Sequence, residues 1–298
     1  MISGDPGALL DHAAAGSRRA LARLITLVER GGDDARSVGR LTYPRGGEAY
    51  TLGITGAPGA GKSTITDRLV GHVRSMGTEV AVLAVDPSSP FSGVFIRSMA
   101  TRGHLGGLAL ATPEAIRVLD ACNFPLVVVE TVGVGQVEVE VAGWADTTVV
   151  VVNPRWGDAV QANKAGLLEV ADVLVVNKAD RPGAAEAERD LRTMLDMNLD
   201  PGPWRPPVVR TVATTGEGVD ELWDAVAAHR AFLGDSGLLA ARRARRLDDE
   251  VRAIVLHRLA ARAEGRLSGP RYEQVSADLA ARRTDPWSAA EALLGPSA

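Results

Sequence analysis

Gly56-Ala57-Pro58-Gly59-Ala60-Gly61-Lys62-Ser63 has the spacing G-x-x-x-x-G-K-S, which is that of a phosphate-binding P-loop. Its three glycines let successive backbone N–H groups turn inward as a nest for phosphate oxygens. Lys62 has the length to reach β- and γ-phosphates, and the Ser63 hydroxyl suits Mg²⁺. The flanks agree with this reading. Residues 49–55 (AYTLGIT) predict a strand, and Ile65, Leu69, Val73 and Met76 recur at helical spacing up to Gly77. The loop therefore joins a strand to a helix N-terminus, where free amides and the helix dipole favour an anion.

Working outward, further short apolar runs lie at residues 80–85 (VAVLAV), 126–129 (LVVV), 148–152 (TVVVV), 173–176 (VLVV) and 208–212 (VVRTV). Continuous Val/Leu runs without polar alternation are what strands covered on both faces require. Alternating with helical stretches, they predict an α/β fold with a doubly wound, mainly parallel sheet and ligands beyond the carboxyl ends of its strands. Thr112-Pro113-Glu114 reads as a helix start, an N-cap with proline at the first helical position. Residues 1–48 read as a helical segment packed on the main domain, with Leu9, Leu10, Leu21, Leu24, Ile25 and Val28 in an Ala/Arg-rich run that Gly31-Gly32 ends. The nucleotide domain is expected over 49–233 and a C-terminal helical segment over 234–298. Residues 238–263 predict one long helix, with Leu247, Val251, Ile254, Val255 and Leu259 on one face. That stripe suits either packing on the main domain or dimerisation. The run Arg242-Arg243-Ala244-Arg245-Arg246 precedes Asp248-Asp249-Glu250 and reads as a solvated face with pairs at helical spacing.

Several predicted strand ends carry acids or amides. Asp86 closes 80–85 and Glu130 closes 126–129, positions suited to directing Mg²⁺ or ordering water beside a P-loop. Asp86 opens Asp-Pro-Ser-Ser-Pro, which is also a good turn. Gly133 is placed so that its N–H would sense a γ-phosphate. Asn177-Lys178-Ala179-Asp180 closes 173–176, and the Asp180 carboxylate suits the ring N–H and exocyclic amino group of guanine, a donor pair adenine lacks. Ala213 and Thr214 follow the next strand, where a backbone N–H suits the guanine carbonyl. Val134 follows Gly133, where many switch GTPases place a water-ordering glutamine, so unaided hydrolysis is expected to be slow.

Composition narrows the class. The 298 residues carry a net charge of −4 with mixed signs, so nothing global recruits nucleic acid or an anionic membrane. The opening MISGDPGALLDHAAAGSRR lacks a long apolar run, and no segment approaches a membrane span. Cys122 is the single cysteine, which suits a reducing cytoplasm. His12, His72, His104, His229 and His257 are scattered, which disfavours a soft-metal site and leaves oxygen-bound Mg²⁺ as the expected metal.

The stretches VLAVDPSSPFSG, RSMATRGHLGGLA, VVVETVGVGQVEVEVA, GDAVQANKAGLLEVADVLVVNKAD and TVATTGEGVDEL together resemble the MeaB/ArgK family of P-loop GTPases, bacterial relatives of the human methylmalonic aciduria type A protein. The resemblance runs from the N-terminal helices to the C-terminal segment. It implies a homodimeric chaperone of adenosylcobalamin-dependent methylmalonyl-CoA mutase that couples GTP binding and hydrolysis to cofactor loading and protection. Residue by residue, it implies phosphate-loop roles for Gly56, Ala57, Pro58, Gly59, Ala60, Gly61, Lys62, Ser63 and Thr64, and catalytic roles for Lys62, Asp86 and Glu130. Ser63, Asp86 and Glu130 would serve Mg²⁺, and Asn177, Lys178 and Asp180 would read guanine of GTP or GDP. Asp158, Gln161 and Lys164 fall in the family's additional switch, which reports nucleotide state to the mutase. No dedicated corrin ligand is evident.

In one place the chain departs from the family. A Gly-Gly-x-Leu-Gly-Asp-Arg-type stretch, carrying a switch aspartate, is expected where Ser92-Gly93 runs directly into Val94-Phe95. Either the stretch is deleted or a switch loop is missing from the chain in hand; the second is expected, since such loops order only around γ-phosphate and Mg²⁺. Competing readings are a P-loop kinase, disfavoured by Asn177 to Asp180, and a nickel-delivery GTPase, disfavoured by the scattered histidines.

Overall fold

A computed structural model describes residues 4–85, 95–99, 105–131, 143–154, 169–197 and 202–295. Asp86, Gly133, Asp158, Gln161 and Lys164 lie outside them, as does the Gly93–Val94 join. Among the described residues seven strands form one sheet: β1 (Tyr50–Gly56), β2 (Val80–Val85), β3 (Phe95–Met99), β4 (Leu126–Thr131), β5 (Thr147–Val152), β6 (Val173–Asn177) and β7 (Val208–Thr211). Their order is β3-β2-β4-β1-β5-β6-β7, and every neighbouring pair is parallel. All carboxyl ends therefore share one edge, with β1 at the centre. The edge strand β3, not anticipated from the sequence, is held by Arg97, whose Nε donates to Glu29 Oε1 at 3.1 Å and whose guanidinium also meets Thr26 Oγ1 at 2.9 Å.

Side chains on successive strand residues alternate between faces, and the two faces have different helical covers. Ala81, Leu83, Val127 and Val129 pack with the N-terminal helices α1 (Pro6–Ala14), α2 (Arg18–Arg30) and α3 (Gly32–Thr42) and with α5 (Leu105–Ala121). Val150, Val152, Leu174 and Val176 pack under α6 (Ala184–Asp196). The opposite face, with Leu52, Ile54, Val82, Val128, Val149 and Val173, is covered by α4 (Lys62–Ser75) and α7 (Val219–Asp235). The N-terminal helices thus complete the sheet's own core. On α2 the buried residues Leu21, Leu24, Ile25 and Val28 recur at helical spacing, and each contributes roughly 1.5–3 kcal/mol on burial. The Ser17 hydroxyl caps its N-terminus, accepting from the Ala20 N–H at 3.3 Å.

Two sequence expectations are corrected. The helix expected to begin at Thr112-Pro113 runs from Leu105, with Pro113 in its interior. Thr112 is buried and its hydroxyl has no hydrogen-bond partner, so it caps nothing. The second concerns the arginine run on α8 (Leu238–Glu264), which is an anchor rather than a solvated face. Arg242 forms a two-point bridge to Asp172, at 3.0 and 2.9 Å. Arg243 meets Asp146 Oδ2 at 2.8 Å and the Ala49 carbonyl at 2.8 Å, and Arg246 meets both Asp146 and the Trp144 carbonyl. Their partners are 70 to 194 residues away in the chain, beyond the reach of a helical-spacing argument. Arg245 alone of the four stays exposed.

These aspartates sit at the amino ends of β5 and β6, at the edge opposite the P-loop. Asp146 also accepts from the Thr51 N–H and Asp172 from the Thr148 N–H. Tyr50, Thr147 and His229 extend the network: Thr147 Oγ1 lies 2.5 Å from the Tyr50 hydroxyl and 2.7 Å from His229 Nδ1. Burial pushes the Tyr50 phenol up to about 12 and His229 down, which keeps both neutral at ordinary pH. His229 Nε2 is 3.2 Å from Asp172 Oδ1 but not aligned for a hydrogen bond.

The chain divides into two compact units, Met1–Arg246 and Leu247–Ala298. The smaller holds the remainder of α8, α9 (Pro270–Ala280) and α10 (Pro286–Leu294). Within it Ala289 and Leu293 are buried, and Arg266 donates to the carbonyls of Leu293 and Leu294 at 3.1 and 3.2 Å, closing the end of α10. Leu247, Val251, Val255 and Leu259 stand exposed at four-residue spacing.

Burial alone would raise the Asp146 carboxyl, but the Arg243 hydrogen bond and the charges of Arg246 and Arg243 hold it below its ordinary 3.8. Its stabilisation is complete above that value and is lost as pH falls through the depressed one. Asp146→Ala should cost about 3–5 kcal/mol in urea unfolding at pH 7, because it strands two half-buried guanidinium groups. The gap between variant and wild type should close as the acid transition is crossed; a gap constant with pH would show that the charge pair is not its source.

Candidate functional site

β1 lies between β4 and β5, pairing Ile54 with Glu130 and Gly56 with Val151. At Gly56 the chain leaves the sheet with φ 135°, and a Cβ there would run into the Val151 backbone. Gly59 and Gly61 also have positive φ, 71° and 97°. A Cβ on Gly61 would meet the Asn177 amide. These are conformations and clearances that only glycine tolerates. They bring the loop amides to the N-terminus of α4, the arrangement that suits phosphate. Lys62 is nearly buried and donates to the carbonyls of Gly56 at 2.7 Å and Ala57 at 3.1 Å. Pro58, Gly59 and Thr64 are exposed, and Ala60 is buried.

Ser63 and Glu130 meet across the end of β4. The Ser63 hydroxyl donates to Glu130 Oε1 at 2.5 Å, while Glu130 Oε2 is buried with no hydrogen-bond partner. Burial pushes the Glu130 carboxyl up, opposed by hydrogen bonds from Ser63 and Thr66 and by the charge of Lys62. An unpaired buried carboxylate oxygen costs folding energy until something satisfies it. A hard divalent cation, or a water in its shell, fits this pair of oxygen donors beside a phosphate cradle. Among the described residues no cluster of three His, Cys, Asp or Glu could hold a metal by itself, so phosphate oxygens and water would complete the shell.

Asn177 sits at the carboxyl end of β6 and is almost wholly buried. Its Nδ2 donates to the Ala60 carbonyl at 2.8 Å, and its Oδ1 accepts from the Thr211 hydroxyl and the Ala213 N–H, both at 3.1 Å. The side chain therefore ties the P-loop to the segment after β7. Lys178 adopts φ 59°, unusual for a non-glycine residue, and its Nζ donates to the Gly59 carbonyl at 2.7 Å. Asp180, two residues on, is exposed beside this brace. Thr214 is exposed at the start of the following turn, which a Val212–Glu217 bridge closes. Sequence reading assembled most of this edge but missed Thr211 and Arg68, whose side-chain bonds join positions distant in the chain and leave no spacing signal.

Because the ionised Glu130 opposes folding, its contribution to stability is present in acid and lost as pH rises through its raised value. Glu130→Gln should accordingly stabilise the ligand-free protein at pH 8 by roughly 1 kcal/mol while removing most of the Mg²⁺-dependent part of nucleotide affinity. A lower melting temperature together with an unchanged Mg²⁺ effect would contradict this. Gly61→Ala should cost about 1–3 kcal/mol of stability and abolish nucleotide binding in calorimetric titration.

The pattern of the family described as "Methylmalonyl Co-A mutase-associated GTPase MeaB" matches residues 21–267. A protein of Pyrococcus abyssi provisionally named a GTPase is 47% identical, with 96% of this chain and 95% of that one covered. GTPase ArgK of Escherichia coli is 35% identical over 75% of this chain and 76% of its own, and the Mus musculus methylmalonic aciduria type A homolog is 33% identical over 76% and 64%. A crystal structure described as an LAO/AO transport system kinase superposes with a TM-score of 0.77 at 28% identity, covering 98% of both chains. The Pyrococcus alignment runs over 307 positions, more than the 298 residues of this chain, so the relative carries residues that this chain lacks. Here the sequence runs without interruption through Gly93-Val94, against the expectation of an omitted loop. With its P-loop, all-parallel sheet and Asn177-to-Asp180 turn at one sheet edge, the chain belongs to the MeaB family of P-loop GTPases.

Proposed function

We propose that this protein binds and hydrolyses GTP, with Mg²⁺, as a chaperone of an adenosylcobalamin-dependent methylmalonyl-CoA mutase, assisting cofactor loading and protection of that enzyme. The observation that carries the nucleotide part is the Asn177 brace, which joins the P-loop carbonyl of Ala60 to the Ala213 amide beside exposed Asp180. That brace supports a reading in which phosphate and base subsites share one frame. The mutase part rests on membership of a family described as mutase-associated.

In this reading Lys62 exchanges its loop carbonyls for β- and γ-phosphate oxygens, while the amides of residues 56–64 and the start of α4 bind the remaining charge. Ser63 and Glu130, with Asp86, serve the Mg²⁺, whose chemistry is to neutralise charge developing on the phosphates. Asp180 accepts from the guanine N1–H and exocyclic amino group, and Lys178 lies along the base. The Ala213 N–H is already engaged by Asn177, so the guanine carbonyl draws on Thr214 or shares Ala213. Gly133 senses the γ-phosphate, and Asp158, Gln161 and Lys164 report nucleotide state to the mutase. The division into 1–48, 49–233 and 234–298 is proposed on the same basis, with the exposed Leu247, Val251, Val255 and Leu259 stripe as the homodimer contact. A cytoplasmic setting belongs to the same reading and suits the single Cys122. Val134 stands where many switch GTPases place a water-ordering glutamine, so turnover without the partner is slow.

Hydrolysis by the purified protein should prefer GTP to ATP by a large factor and should rise when the mutase is added. ATP preference would overturn the role of Asp180 and favour a small-molecule kinase. GTP preference without stimulation would overturn the mutase assignment.

A further inference from the structure

Arg68, on the second turn of the P-loop helix α4, reaches across to the turn after β7. Its Nε donates to the Ala213 carbonyl at 3.1 Å and its terminal nitrogen to the Thr214 carbonyl at 2.7 Å. One turn further along the same face of α4, His72 Nδ1 lies 3.0 Å from Asp220 in the first turn of α7. The phosphate-loop helix is therefore joined to this turn and to the helix that follows it by two polar ties, independently of Asn177.

The Arg68 contact fixes a direction as well as a distance. Every described peptide bond is trans, and in a trans peptide the C=O and the following N–H point opposite ways. Anchoring the Ala213 carbonyl on Arg68 thus aims the Thr214 N–H away from α4. The neighbouring amides are otherwise committed: the Ala213 N–H to Asn177, and those of Thr215 and Gly216 to the Val212 carbonyl. Arginine suits the task because its planar fork offers two donors in fixed relation, which lysine cannot reproduce.

We propose that Arg68 is a positioning residue for guanine discrimination: by holding the Ala213 and Thr214 carbonyls it presents the Thr214 amide to the base carbonyl. It touches neither base nor phosphate, and its role rests on the guanine reading of Asp180 given above. Losing it should weaken recognition of the base while sparing recognition of the phosphates.

The test compares wild type, Arg68→Met and Arg68→Lys in calorimetric titrations with GDP, ADP and inorganic tripolyphosphate, with thermal melting of each variant. Arg68→Met should lose about tenfold in GDP affinity and keep its ADP and tripolyphosphate affinities, so the GDP-to-ADP ratio narrows. Arg68→Lys should recover part of that ratio. Equal losses for all three ligands, or a full ratio retained in Arg68→Met, would overturn the inference while leaving guanine selectivity intact. A wild type that does not distinguish GDP from ADP would overturn both this inference and the guanine reading.

Discussion

The nucleotide edge depends on two places where there is no room for a side chain. Gly56 turns off β1 against the Val151 backbone, and Gly61 opens α4 against the Asn177 amide. Because the loop backbone is pressed on β5 and on the end of β6, its amides are fixed by the sheet rather than by the loop's own preferences. Everything that gives the edge its character follows: Lys62 at the first helical position, Ser63 facing Glu130, and the Ala60 carbonyl within reach of Asn177. A fold with β1 at the centre of a parallel sheet supplies that pressure from both sides.

The two ends of the sheet treat buried charge in opposite ways. At the amino ends, Asp146 and Asp172 are matched by Arg242, Arg243 and Arg246 and by backbone amides, and the Asp146 carboxyl is held below its ordinary range. Such a network stabilises and orients the amino ends of the strands. At the carboxyl ends, Glu130 has one oxygen bonded and the other bare, and its carboxyl is pushed up by burial. An incomplete buried polar group of this kind costs folding energy, the usual relation between stability and a functional site.

What could be read from the sequence divides along the same physical line. The central strands were legible because each is a continuous apolar run, and the P-loop because its chemistry is local in sequence. β3 was not, since an edge strand containing Arg97 lacks that run and is held by α2. The start of α5 was misplaced because Thr-Pro-Glu satisfies a capping rule that the longer helix overrides. The Arg242 to Arg246 anchor and the Arg68 tie were illegible because their partners are brought near only by the folded sheet. Asn177 was assigned to the base from its motif, whereas its amide is consumed within the protein, bracing the loops that flank the base site.

The account turns on Asp180 reading a pair of donors on the base, and exchanging that carboxylate for an amide tests it most directly. Guanine offers an N–H and an amino group to a carboxylate, whereas xanthine offers an N–H and a carbonyl, the complement of asparagine. Titration of wild type and Asp180→Asn with GDP and xanthosine diphosphate should show preference for GDP in the first and for the xanthine nucleotide in the second. Unchanged GDP binding in Asp180→Asn would mean that the base is recognised elsewhere, and the assignment of this edge to guanine would be wrong.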